Sequence, residues 1–186
     1  MELVAIGCST GGLQALQTLL GGLAPCPRTA FVAVLHTASA SVDLLCQLLA
    51  RESPMPVMEA EERMPVRPGV LQLAPPGYHL LIGRDRHFAL TVDPKVCFVR
   101  PSIDVLFESA ADAYRANMAG VILTGANEDG ALGLCCVRRH GGAALVQDPE
   151  EAESPAMPRA ALATAGADHC LPLAAIAIEL NRMCLS

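Results

Sequence analysis

Leu3-Val4-Ala5-Ile6-Gly7-Cys8-Ser9-Thr10-Gly11-Gly12 is the stretch on which the reading of the fold turns. Leu3 to Gly7 form a continuous apolar run, the pattern of a short strand buried on both faces; a half-exposed strand would alternate. Gly11 and Gly12 then open a helical spacing of apolar residues at Leu13, Leu16, Leu19 and Leu20. Strand, tight turn and helix make the unit from which parallel sheets are built.

The pattern repeats outward. Pro25 and Pro27 stop the first helix, Ala30-Phe31-Val32-Ala33-Val34-Leu35 is a second buried run, and a helical stretch follows near Ser41–Arg51. Met55–Asp93 differs, being dense in Pro and Gly with short runs at Val70–Leu73, Tyr78–Ile82 and Phe88–Val92, which reads as β-hairpin territory. Pro101 and Ser102 announce a helix whose apolar stripe is Ile103, Leu106, Phe107, Ala110 and Tyr114. Gly120–Thr124 and Ala143–Gln147 are further buried strands, separated by a polar turn, Gly125–Gly130, and a helix ending before Gly141. A helix near Arg159–Ala165, a strand at His169–Leu171 and a helix from Leu173 complete the chain. The expected class is α/β: one domain over residues 1–186, a doubly wound, mainly parallel sheet flanked by helices, with an antiparallel hairpin insertion.

Composition narrows the partners. With 19 acidic against 13 basic residues, a net charge of −6 and no basic block, the chain lacks what neutralises a phosphate backbone, so nucleic acid is excluded. No apolar run approaches the ~18–20 residues of a membrane span, and the N-terminus has no basic-then-apolar leader, so the expectation is a cytoplasmic protein that is not membrane-inserted. The eight cysteines show no CxxC pair and no zinc spacing. They read as reduced, mostly buried thiols. Cys8, inside an apolar strand, reads as a small hydrophobe rather than a nucleophile.

In a doubly wound sheet the ligand site lies beyond the carboxyl ends of the strands, which directs attention to the residues after each apolar run. Ser9 follows the first, His36 the second, and Asp129 lies in the turn after Val121–Leu123. A serine hydroxyl becomes a nucleophile when an imidazole takes its proton, and the imidazole needs a carboxylate to fix its tautomer. Gly7, Gly11 and Gly12 give Ser9 the permissive backbone of a sharp turn, and the N–H groups of Thr10 and Ala126 are candidates for an oxyanion hole. On residues alone other readings stand beside this one. Gly-rich turns also cradle phosphates, strand-end Ser and His act as caps, and Asp129-Gly130 is a common turn before a helix. His79, His87, His140 and His169 need only structural roles. The order Ser…His…Asp departs from that of lipase-type α/β hydrolases.

Four ordered motifs add a resemblance. Ile6-Gly7-Cys8-Ser9-Thr10-Gly11-Gly12, Val34-Leu35-His36, Arg100-Pro101-Ser102-Ile103-Asp104-Val105-Leu106-Phe107 and Leu123-Thr124-Gly125-Ala126-Asn127-Glu128-Asp129-Gly130-Ala131-Leu132-Gly133 resemble the catalytic domain of chemotaxis protein-glutamate methylesterases. Leu73–Leu80 and Met157-Pro158-Arg159 look like stretches of the same family. The resemblance implies hydrolysis of glutamate γ-methyl esters on the cytoplasmic helices of methyl-accepting chemoreceptors, with glutamine deamidation as a related activity. It implies an acyl-enzyme on Ser9, His36 as base and Asp129 as its orienter, the backbone N–H of Ala126 in the oxyanion hole, and no cofactor. The chain departs from the family pattern at Ala126-Asn127, where Met-Gly is usual, and at Thr37 after His36, where Met is common. Met1 precedes the first strand by a residue or two, so no receiver domain is read in this sequence. Two rivals follow: a catalytically degenerate binding module of the same fold, and a nucleotide-binding domain, which the missing GK[ST] and GxGxxG endings count against.

Overall fold

A computed structural model describes residues 1–37 and 41–185. Leu3–Cys8 forms strand β1, buried throughout, with Val4, Ile6 and Cys8 facing one side of the sheet and Leu3 and Ala5 the other. Both faces are covered, as the unbroken apolar run requires. The chain then runs through α1 (Gly12–Gly21), β2 (Ala30–Leu35), α2 (Val42–Ala50), β3 (Val57–Glu59) and β4 (Leu71–Leu73). The antiparallel pair β5 (His79–Ile82) and β6 (Phe88–Thr91) comes next, then α3 (Ile103–Tyr114) and a single 3-10 turn at Arg115–Asn117. The remainder is β7 (Met118–Ile122), α4 (Ala131–Arg139), β8 (Ala143–Gln147), α5 (Ala156–Thr164), β9 (His169–Leu171) and α6 (Leu173–Leu185).

Seven strands form one parallel sheet in the order β3-β4-β2-β1-β7-β8-β9. From β1 the chain builds to one side and then returns to build on the other, so β1 and β7 border the switch point where such sheets open a crevice. Leu16, Leu19, Leu49, Ile176 and Leu180, from α1, α2 and α6, cover one face. Ile103, Phe107, Leu134 and Met157, from α3, α4 and α5, cover the other with Leu80 and Phe88 of the hairpin.

The expected architecture is present, with one boundary redrawn. Leu71–Leu73, grouped by sequence with the hairpin, is instead a parallel strand of the main sheet, paired with β2 through Phe31 and Leu71 and followed outward by β3. Three residues are too few for periodicity to tell a parallel edge from a hairpin arm; the pairing partner decides. The hairpin shrinks to β5 and β6 and packs on α3, where the Ile82 N–H donates to Ser109 Oγ at 3.1 Å. Helix α5 starts at Ala156, so Pro158 sits in its first turn, where an N–H would have no partner within the helix.

Candidate active site

Strand register brings the sequence-predicted residues to one rim. Cys8 of β1 lies beside Leu35 of β2, so Ser9 and His36 are the next residues along two paired strands, and the His36 N–H donates to the Cys8 carbonyl at 3.0 Å. Gly7 pairs with Ile122 on the other side, which puts the turn after β7 against the same strand end. Ser9 and His36 line one pocket of about 420 Å³ with Gly12, Leu13 and Glu153.

The Ser9 turn is built for a close helix approach. Gly11 has φ +74°, and a Cβ on it would lie 2.6 Å from Glu153 Oε2. A Cβ on Gly12 would lie 2.8 Å from the Leu35 side chain and 2.9 Å from Cys8 Sγ, so α1 starts closer to the strand ends than any side chain permits. Thr124 holds the turn from two directions. Its carbonyl accepts the Ser9 N–H at 2.9 Å, and its hydroxyl donates to the Thr10 carbonyl at 2.9 Å while accepting the Ser154 N–H at 2.8 Å. The N–H groups of Thr10 and Ala126 form no hydrogen bond among the described residues. Both residues are exposed, as free oxyanion donors would be, and the positive end of α1 adds to the field at Ser9.

His36 and Asp129 meet: Nε2 lies 3.0 Å from Oδ2, with the two side chains 8% and 0% exposed. The approach is an ion-pair distance without the alignment of a full hydrogen bond, and Nδ1 is buried with no partner. The Ser9 hydroxyl makes no hydrogen bond to His36 among the described residues. The structure thus brings imidazole and carboxylate together and sets the serine on the same pocket wall.

Asp129 is held more elaborately than its Asp-Gly context suggests. Oδ1 accepts the Ser102 hydroxyl at 2.7 Å and the Asp104 N–H at 3.2 Å, and Oδ2 accepts the Ile103 N–H at 2.6 Å. The carboxylate therefore sits on the free amides that open α3, where the helix dipole also favours negative charge. Burial alone would raise its pKa; the close His36 ring and the hydrogen bonds from Ser102, Ile103 and Asp104 outweigh that and hold it below the ordinary carboxylate value. An ionised Asp129 is what a protonating imidazole needs beside it.

Sequence reasoning named Ser102 as the N-cap of α3 but missed its second partner. Its oxygen accepts the Val105 N–H at 3.4 Å while its hydrogen goes to Asp129, so one hydroxyl caps the helix and anchors the carboxylate. His79, which needs only a structural role on sequence, supports this anchor. Its Nδ1 accepts the Ser102 N–H at 3.2 Å, which leaves the proton on Nε2, 3.1 Å from the Pro94 carbonyl. Asp104, also missed, is buried with Oδ1 accepting the Gly133 N–H at 2.6 Å, and burial pushes its pKa up to about 6. The signal for Asp104 was a charge inside an apolar helix, Ile103-Asp104-Val105-Leu106-Phe107.

Cys97, Asp104 and Asp129 are the one group among the described residues whose potential ligand atoms lie within 4.8 Å of one another. Both Asp129 oxygens and Asp104 Oδ1 are already engaged by N–H and O–H donors, so the cluster anchors a helix terminus rather than offering an ion a vacant face. Cys8 is fully buried, its thiol directed to the Val34 carbonyl at 3.8 Å, and burial pushes its pKa up to about 12. A thiol kept protonated by burial is a poor nucleophile, so Cys8 stays the small hydrophobe of an apolar strand.

Comparison with known proteins places the chain in a family. The model of the CheB methylesterase family matches residues 4–180. A Leptospira interrogans protein, provisionally named protein-glutamate methylesterase/protein-glutamine glutaminase, is 42% identical over 176 residues, covering 95% of this chain and 91% of that one. Protein-glutamate methylesterase/protein-glutamine glutaminase 1 of Cupriavidus pinatubonensis is 39% identical over 185 residues, all of this chain but 54% of that protein. The crystal structure of the Thermotoga maritima CheB methylesterase catalytic domain superposes with a TM-score of 0.93 at 31% identity, covering 98% of each chain. With the family model matched over residues 4–180 and the fold superposing over 98% of the chain, the chain belongs to the CheB methylesterase family.

Proposed function

We propose that the chain is a serine esterase that removes γ-methyl esters from glutamates on the cytoplasmic helices of methyl-accepting chemoreceptors. The observation that carries the reading is the His36–Asp129 contact of 3.0 Å at the strand end next to Ser9. With Nε2 committed to Asp129, Nδ1 is the ring nitrogen available as base. It takes the hydroxyl proton as Ser9 Oγ attacks the ester carbonyl, and the carbonyl electron pair moves onto oxygen, facing the N–H groups of Thr10 and Ala126. Collapse of this intermediate breaks the bond to the methoxy oxygen, which leaves as methanol with the proton returned by His36. Water then attacks the acyl-enzyme with His36 again as base, releasing glutamate and restoring Ser9. A glutamine side chain follows the same course with ammonia as leaving group.

Ala126 serves because the oxyanion needs only a backbone N–H, and Asn127 tolerates turn conformations better than most residues with a Cβ. The test is methanol release from a receptor fragment carrying glutamate γ-methyl esters. The wild type is expected to release methanol, and Ser9→Ala to be slower by several orders of magnitude while keeping its melting temperature. Equal rates would refute the reading, and receptor binding without methanol release from either protein would mark the chain as a docking module.

A further inference from the structure

Cys97 and Phe98 occupy the tip of a two-residue turn closed by reciprocal hydrogen bonds between the backbones of Val96 and Val99, 3.2 and 2.9 Å long. Both tip residues have positive φ, 47° and 65°. This is the backbone of a type I′ turn, a place for Asn-Gly, and neither Cys nor Phe has the short polar side chain or missing Cβ that makes it easy. The strained tip lifts Phe98 clear of the protein: it is 93% exposed, against 44–70% for the other exposed large hydrophobic residues. Strain of this kind persists where the surroundings over-determine it and gathers at ligand contacts.

The position of Phe98 gives the exposure a direction. It forms a ridge between two hollows, one reaching His36 and the other lined by Ala126 and Asn127. The first hollow adjoins the Ser9 pocket, with Leu35, His36, Thr37 and Leu45 lining both. A chain that delivers an ester to Ser9 has this groove beside it. Its charge is opposite to that of the molecule. Lys95 and Arg100 line it with no Asp or Glu among the described residues, in a chain of net charge −6. Lys95 is the chain's one lysine, is exposed, and forms no ion pair among the described residues. Arg100 spends Nη1 on the carbonyls of Val92 and Asp93 and keeps Nε buried without a partner.

We infer that Phe98 and Lys95 are the docking edge for a polypeptide substrate, whose segment next to the modified glutamate lays an apolar side chain on Phe98 and an acidic one against Lys95. The inference rests on the esterase reading of Ser9, His36 and Asp129 and adds to it which segments are accepted. Exposed aromatic anchors and unpaired cations beside a site are the groups that carry recognition, and each is solvated until a partner covers it.

The experiment uses two synthetic peptides with one central glutamate γ-methyl ester, flanked by Leu and Glu in one and by Ser and Gln in the other. Binding is measured on Ser9→Ala protein, and turnover on protein with Ser9 intact, with p-nitrophenyl acetate as a small ester. Phe98→Ser and Lys95→Glu are each expected to weaken binding of the Leu/Glu peptide by about tenfold. The ratio of kcat/KM for that peptide to kcat/KM for the small ester is expected to fall by a similar factor. Phe98→Gly, which relieves the positive φ, is expected to lose the same affinity with a melting temperature equal to or above wild type, separating lost docking from lost folding. Equal affinity of wild type and Phe98→Ser for the Leu/Glu peptide, or no preference of the wild type between peptides, overturns the inference. Failure of the unsubstituted protein to hydrolyse any of the three esters overturns the esterase reading instead, and is recognised by its independence of Phe98.

Discussion

Replacing Ser102 with alanine removes one oxygen and two interactions of different physical kind. The first is a 2.7 Å hydrogen bond to Asp129, which as a bond to a charged group contributes about 1.5–3 kcal/mol. The second is the cap of α3 through the Val105 N–H, long at 3.4 Å and so at the weak end of the ~0.5–2 kcal/mol range for caps. At pH 7 the variant is expected to lose about 2–4 kcal/mol of unfolding free energy. The pH dependence separates the two parts. Asp129 is held below the ordinary carboxylate value, so its contribution is complete above the unfolded value of ~3.9 and disappears as pH falls through the lower folded value. Losing the Ser102 donor moves the folded value up, and the deficit of the variant therefore narrows as pH falls below ~4. Urea unfolding of wild type and variant at pH 7 and near pH 3 reads both quantities. A deficit of the same size at both values would show that Ser102 acts as a helix cap alone and that its bond to the carboxylate contributes nothing.

Two further outcomes follow from neighbouring contacts. Asp104 is more easily protonated folded than unfolded, so its charge is a penalty that develops from pH ~4 to about 6 and persists above; Asp104→Asn is expected to stabilise by about 1–3 kcal/mol at pH 8 and by nothing at pH 4. Unfolding at the two pH values checks this, and a loss of stability at pH 8 would contradict it. A Cβ on Gly7 would lie 2.4 Å from the Ile103 side chain, whose residue also gives its N–H to Asp129; Gly7→Ala is expected to cost ~1–3 kcal/mol and to lower esterase activity, measured by urea unfolding and methanol release.

The legible part of this molecule was the part written in local pattern. Leu3–Gly7 and Ala30–Leu35 announce buried parallel strands because nothing polar interrupts them, and strand ends in such a sheet direct attention to Ser9, His36 and Asp129. Leu71–Leu73 reads with the hairpin in sequence because three residues carry no period, and only long-range pairing with β2 distinguishes a parallel strand from a hairpin arm. The support of Asp129 was hidden for a related reason. Ser102 and Asp129 are 27 residues apart and meet only because α3 starts beneath the turn after β7, so the sequence shows a cap and a turn but not the bond between them. His79 was undervalued because a buried histidine gains its role from what its two nitrogens face, here the Ser102 N–H and the Pro94 carbonyl. The strained turn at Cys97-Phe98 breaks the preference for Asn and Gly at positive φ, and nothing in its composition marks it as a turn.

The account depends on a reactive hydroxyl at Ser9, and the direct measurement is covalent: incubation with a fluorophosphonate, followed by mass spectrometry of the digested protein. The expected result is one phosphonyl group on the Ser9 peptide, absent from Ser9→Ala and formed far more slowly in His36→Ala. An unlabelled Ser9, or equal labelling with and without His36, would contradict it.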